Sequence, residues 1–134
     1  MPELKVAHFD DHDDVRAYTR DFLEFHNHQV VADAVDRRTS EQLIEFLRLG
    51  VVEANVAILD GDIKDISGDE IAPQIREMGG IAIIGLSGRD HGVAGVDINI
   101  PKGDGGAILQ VLQGLPEPGT LEWGERFSAQ RAGK

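Results

Sequence analysis

The sequence predicts an α/β fold: a five-stranded parallel sheet, doubly wound, with helices on both faces. Three observations lead there. Short apolar runs recur at 5–9, 29–34, 55–59, 81–86 and 96–100. Two of them, "VAIL" and "IAIIGL", are almost unbroken, which is how strands buried on both faces read. Helical patterns fill most of the gaps, and such alternation packs as a sandwich with right-handed crossovers.

Each element follows in order. The run 5–9 leads into an acidic stretch, "DDHDD" at 10–14. Residues 14–26 then place Val15, Tyr18, Phe22 and Phe25 at helical spacing. The run 29–34 is more polar, as an edge strand would be. Thr39 with Gln42 makes a capping box ahead of "LIEFLRL", and Gly50 stops that helix. After the run 55–59, Ser67 with Glu70 caps a third helix whose apolar positions are Ile71, Ile75 and Met78. Pro73 would be interior to a helix starting at Gly68, so either the helix starts near Pro73 or its first turn is distorted. The segment 88–95, "GRDHGVAG", is short and Gly-rich, and reads as a loop or at most one helical turn. The run 96–100 is the second polar edge. A last helix spans 104–113 with Ile108, Leu109 and Leu112 inward. Residues 1–115 thus form one domain, and 116–134 read as a tail. Disorder is the expectation for that tail, with Leu121, Trp123 and Phe127 offering the alternative of packing on the domain or a partner.

Bulk properties narrow the function. A chain of 134 residues suits one domain, and with aromatics at 5% its core must be built from Ile, Leu, Val and Ala. A net charge of −11 argues against nucleic acid and against an anionic membrane, and suits a bound cation or a basic partner surface. With no cysteine, disulfides, thiolate metal sites and Cys nucleophiles are excluded. The N-terminus is too short and too acidic for a signal peptide, and no apolar run approaches the roughly 20 residues of a bilayer span. A cytoplasmic location is expected.

In a doubly wound sheet, ligands bind beyond the carboxyl ends of the strands. Asp10 and Asp11 follow the first strand, Asp60 and Asp62 the third, Ser87 the fourth and Lys102 the fifth. Carboxylates a few ångströms apart repel by roughly 1–4 kcal/mol per pair at surface-like dielectric unless a cation sits among them. The candidate ligands are hard oxygens, which suit Mg2+. Lys102 and Ser87 can hold further oxygens of a phosphoryl group, and the nearest carboxylate can attack its phosphorus to give an acyl phosphate.

These residues resemble a family. "KVAHFDDHDDVRAYTRDFLE", "VAILDGDIKDISGDE", "IAIIGLSG" and "INIPKG" look like the receiver domain of two-component response regulators, over about residues 4–115. The resemblance implies a flavodoxin-like sheet of order 2-1-3-4-5. It implies Asp60 as phosphoacceptor, Asp11 as direct Mg2+ ligand, Asp10 as a ligand through water, and the Asp62 backbone carbonyl completing the set. Ser87 and Lys102 would contact the phosphoryl oxygens. Gly68 matches the family's Gly eight residues after the acceptor. Asp62 and Arg89 match positions that flank the phosphoryl group and tune its hydrolysis, and they pair across the mouth of the site in this reading. The partners implied are a histidine kinase or phosphotransfer protein and an output protein acted on in trans, since no output domain is visible. The chain is then a phosphoacceptor signalling domain and not a turnover enzyme.

Three departures bear on signalling. Pro101-Lys102-Gly103 replaces the family's Lys-Pro. The 15 residues from Ser87 to Lys102 leave no room for a full fourth helix. Asn99 stands where the family has a switch aromatic. A degenerate receiver, acting as an interaction module without phosphorylation, is therefore the second reading. A haloacid-dehalogenase-like phosphatase is a third, because "ILDGDI" resembles its hhhDxD motif; an acidic pair and two earlier strands count against it. The shortened 88–95 region could expose strand faces to a homodimer. Of the five histidines, His8 is expected buried in the first strand, His12 adjoins the acidic pair closely enough to touch a bound ion, His26 and His28 flank a helix end, and His91 lies in the loop. No His-x-x-x-His pair marks a histidine-based metal site.

Overall fold

The computed structural model describes residues 3–88, 92–102 and 105–128. Strands β1 (Lys5–Phe9), β2 (Gln29–Ala34) and β3 (Val56–Asp60) alternate with helices α1 (Asp13–Phe25) and α2 (Arg37–Leu49). A small antiparallel hairpin, β4 (Asp62–Ile63) with β5 (Ile66–Ser67), leads into α3 (Gly68–Met78). Strands β6 (Ala82–Ser87) and β7 (Ile98–Pro101) follow, then α4 (Gly105–Gln113) and α5 (Leu121–Arg126).

The five long strands are all parallel, in the order β2-β1-β3-β6-β7. This is the expected 2-1-3-4-5 topology, with the two polar runs at the edges. All five residues of β3 are buried, as a strand covered on both faces requires. Alternation along the strands feeds two cores. Val6, Val56, Ile58 and Ile84 pack with Leu23 of α1 and Ile108 and Leu112 of α4. Ala7, Phe9, Ala57, Leu59 and Ile83 pack with Leu43 and Ile44 of α2 and Ile71 and Ile75 of α3.

Several local expectations are corrected. In α1 the buried residues are Thr19 and Leu23, while Tyr18 and Phe25 are largely exposed; the inward stripe is set by Thr19 and Leu23, one turn apart, and Phe25 falls on its flank. The cap of α2 is Asp36, whose carboxylate accepts from the Thr39 N–H at 2.8 Å while the Thr39 hydroxyl faces back, so Thr39 is the third helical residue and not the cap. Gly50 ends α2 in the left-handed region at φ 76°, as expected. Helix α3 starts at Gly68, so Pro73 is interior, and the Ser67 hydroxyl accepts from the Glu70 N–H.

No helix lies between β6 and β7 among the described residues. A short strap takes its place. Val93 is buried on the sheet, and Asn99 of β7 clasps it: Oδ1 accepts from the Val93 N–H at 2.8 Å, and Nδ2 donates to the Val93 carbonyl at 3.2 Å. The Ala94 N–H donates to Asp69 on α3 at 2.8 Å, and Arg76 meets Asp97 at 2.7 Å. Gly85 makes room beneath, because a Cβ there would lie 2.6 Å from Asn99 Oδ1 and 2.9 Å from Val93 Cβ. The start of the last helix at 104, like the loop residues Arg89 to His91, lies outside the described residues.

The C-terminal segment, expected to be disordered, folds back on the domain over its described residues, 116–128. Thr120 caps α5, Trp123 and Phe127 are buried, and the indole N–H donates to the Gly80 carbonyl at 2.9 Å. The Phe127 carbonyl accepts in turn from the Gly80 N–H. Burying two aromatic rings outweighs the chain entropy of a short polar segment. Among the described residues, no helix is long and apolar enough to cross a membrane.

Candidate functional site

Parallel pairing brings the chemistry to one edge. Asp10 follows β1, its backbone N–H held by the Ala34 carbonyl at 3.0 Å. Asp60 ends β3 on the neighbouring strand and registers with Leu86, one residue short of Ser87. Ser87 registers with Pro101, so Lys102 is the next residue beyond the ladder. Residues separated by more than ninety positions thus meet through strand order alone.

Asp60 is buried and held at both oxygens. Lys102 Nζ donates to Oδ2 at 2.9 Å, and the Asp62 N–H donates to Oδ1 at 3.3 Å. The order Pro101-Lys102-Gly103 therefore does not keep the amine from the site. The tight approach beneath Asp60 requires a glycine: a Cβ on Gly68 would lie 2.6 Å from the Asp60 carbonyl oxygen. The Gly68 N–H donates to the Gly61 carbonyl at 3.1 Å, closing the hairpin under the acceptor strand.

Asp10 is wholly buried, Asp11 is half-buried, and both face Asp60 around one ring. His12 Nδ1 lies 3.1 Å from Asp10 Oδ1, 3.1 Å from Asp11 Oδ1 and 3.7 Å from Asp60 Oδ2. One ligand atom from each of these four residues falls within 4.8 Å of the others. Arg16 fixes the floor by donating to the Asp10 carbonyl at 3.0 Å.

The electrostatics follow from this crowding. Burial pushes the Asp60 carboxyl up from its ordinary range, the Lys102 hydrogen bond opposes that, and the nearby Asp10 charge adds to the rise. Burial alone would pull the Lys102 ammonium down, but the hydrogen bond to Asp60 and the surrounding acids hold it above its usual value. The Asp10 hydrogen bond and the Asp11 charge raise His12. His8, buried as expected in β1, is pushed down to about 4 by desolvation, and neither of its ring nitrogens makes a hydrogen bond.

The donor set fits a small hard cation. Asp10 Oδ2 and Asp11 Oδ1 are buried and make no hydrogen bond, which leaves acceptor capacity that a divalent ion would fill. Of the residues expected to act, Asp10, Asp11, Asp60 and Lys102 converge. Ser87 is buried at the end of the adjacent strand, and Asp62 is exposed in β4 with its N–H on Asp60. Arg89, expected to pair with Asp62, lies outside the described residues. His12, expected to adjoin the acid pair closely enough to touch a bound ion, stands among the carboxylates of Asp10, Asp11 and Asp60; the signal was its position directly after the acid pair, ahead of α1.

No protein-family model matches the chain, and no curated protein does. Solved structures do. A receiver domain from Methylobacillus flagellatus matches with a TM-score of 0.69 at 15% identity, covering 84% of this chain and 98% of that one. A receiver domain protein from Methanospirillum hungatei matches with a TM-score of 0.69 at 19% identity, covering 84% and 92%. A two-component response regulator of an Aurantimonas species matches with a TM-score of 0.68 at 20% identity, covering 84% of each chain. The chain has the fold of response regulator receiver domains.

Proposed function

We propose that this receiver fold accepts a phosphoryl group on Asp60 from a histidine kinase or phosphotransfer protein, with Mg2+ at the acid cluster, and signals by binding another protein. The observation that carries the proposal is Lys102 Nζ at 2.9 Å from Asp60 Oδ2, beside Asp10 and Asp11. In the transfer, an Asp60 oxygen bonds to phosphorus as the bond from phosphorus to the donor's imidazole nitrogen breaks, and the imidazole leaves with the electron pair and takes a proton. Lys102 neutralises charge on the moving phosphoryl oxygens, and Ser87 donates to another. Asp10, Asp11, Asp60 and the Asp62 carbonyl would hold the ion, which when bound offsets the carboxylate repulsion and the incoming phosphoryl charge. Water later cleaves the bond between phosphorus and the Asp60 oxygen, releasing phosphate and restoring the carboxylate, so the protein is a signalling phosphoacceptor and not a turnover enzyme.

The test is incubation with Mg2+ and acetyl phosphate, read by intact mass. One added phosphoryl group, absent in Asp60→Asn and absent without a divalent ion, is the expected result. An unchanged mass under all conditions would overturn the proposal. One observation favours a second reading, a phosphorylation-independent interaction module: the Asn99 clasp ties down the segment where a movable fourth helix would be. On that reading partner binding is unchanged by Asp60→Asn.

A further inference from the structure

We infer that His12 is a nitrogen ligand of the divalent ion at this site and tilts it from Mg2+ toward later first-row transition ions such as Co2+. The inference rests on the metal site of the proposed function and adds to it a residue and a selectivity.

The distances carry it. An octahedral ion with bonds of about 2.1 Å sets neighbouring ligand atoms about 3 Å apart. His12 Nδ1 stands 3.1 Å from Asp10 Oδ1 and 3.1 Å from Asp11 Oδ1, the spacing of adjacent vertices. An atom at the ion's own place would be about 1 Å closer to both. A hydrogen bond between Nδ1 and Asp10 Oδ1 accounts for one of these approaches and not for the convergence. A ring nitrogen carries at most one proton, yet carboxylates of three residues face this one.

A second observation is independent of the ring. Asp10 is 0% exposed, and its Oδ2 makes no hydrogen bond. His8 Nε2 lies 3.9 Å from that oxygen and is itself without a hydrogen bond. A fully buried carboxylate oxygen with no donor marks a place for a cation.

The backbone sets the ring up for this. His12 is the N-cap of α1, but its side chain makes no capping bond. Its N–H instead donates to Asp10 Oδ1 at 2.9 Å, so the residue folds back over the acids and its ring is turned to them. Carboxylate and water suit Mg2+, whereas an imidazole among the ligands favours ions later in the first transition row.

The experiment uses the full chain and the His12→Asn variant, a substitution at a half-exposed side chain. Pulsed electron paramagnetic resonance of bound Mn2+ should show nitrogen-14 coupling in the wild type and none in the variant. Calorimetric titration should show Co2+ affinity falling by about tenfold or more in the variant, with Mg2+ affinity changed by no more than about twofold. Mn2+ bound without nitrogen coupling in the wild type, or equal losses for Co2+ and Mg2+, would overturn the inference and leave the metal site standing. Coupling that persists in the variant would assign the nitrogen to another histidine and overturn it too. If neither protein binds any divalent ion, the metal site of the proposed function fails with it.

Discussion

Lys102 shows how much one side chain carries. Its amine lies within hydrogen-bond distance of the buried Asp60 carboxylate, and the end of β7 delivers it there. Lys102→Ala should slow phosphoryl uptake from acetyl phosphate by about 100-fold, the usual cost of removing one preorganised charge donor. A rate within a few-fold of wild type, followed by mass spectrometry, would show that the amine is not used. Asp60→Asn should raise the melting temperature at pH 7 in buffer free of divalent ions. The reason is the sign of the shift: burial raises the Asp60 pKa, so the ionised form costs the folded state, and the amide removes that cost. His28 gives a pH test at the other end of the fold. Its Nδ1 accepts from the Leu4 N–H at 3.2 Å, and burial lowers its pKa. The unfolded chain therefore takes the proton first. Stability should fall as pH drops through about 6.5, the ordinary histidine value, and thermal melts of His28→Gln should show a flatter dependence there. At this scale the acids and Lys102 were legible because strand ends are legible. The ring of His12 was not, since its direction depends on the backbone turn after β1 and not on residue type.

Elements were read best where periodicity was strong. The runs 5–9 and 29–34 match β1 and β2, and the boundaries of β3 and β6 shift by one residue. The cap of α2 was misread because Asp36-Thr39 and Thr39-Gln42 are both chemically sound boxes, and only the path of the chain from β2 decides between them. The hairpin β4–β5 was not seen; two-residue strands carry no period. That no helix lies between β6 and β7 among the described residues was legible from chain length, but what stands there instead was not. The Asn99 clasp depends on a cross-strand meeting with Val93 over Gly85, which no local pattern encodes. Asn99→Ala should cost about 1–3 kcal/mol, since it leaves the partly buried Val93 N–H without its acceptor. Denaturant melts measure that cost, and hydrogen exchange should show the Val93 amide losing protection. Gly85→Ala should destabilise by a similar amount, because the new methyl meets Asn99 and Val93 well inside contact distance.

For the whole molecule, the two cores on either side of a fully buried β3 were implied by the alternation of apolar runs. The folding-back of residues 116–128 was not, because three apolar residues in a polar segment are equally compatible with solvent. Packing decides it: Trp123 joins the α1–α4 core and binds Gly80. Trp123→Ala should cost about 3–5 kcal/mol by calorimetry, the range for emptying a buried aromatic site. A cost below about 1 kcal/mol would mean the segment does not contribute to the fold.

The position of that ring bears on how occupancy can be watched. Trp123 is the only indole in the chain, and it docks beside Gly80, just before the start of β6. The acid pocket lies past the far end of the same strand, about 20 Å away at strand rise. Intrinsic emission should therefore track global unfolding faithfully and stay dark to events at Asp60. A spectroscopic reporter of ion or phosphoryl loading has to be installed at the other pole.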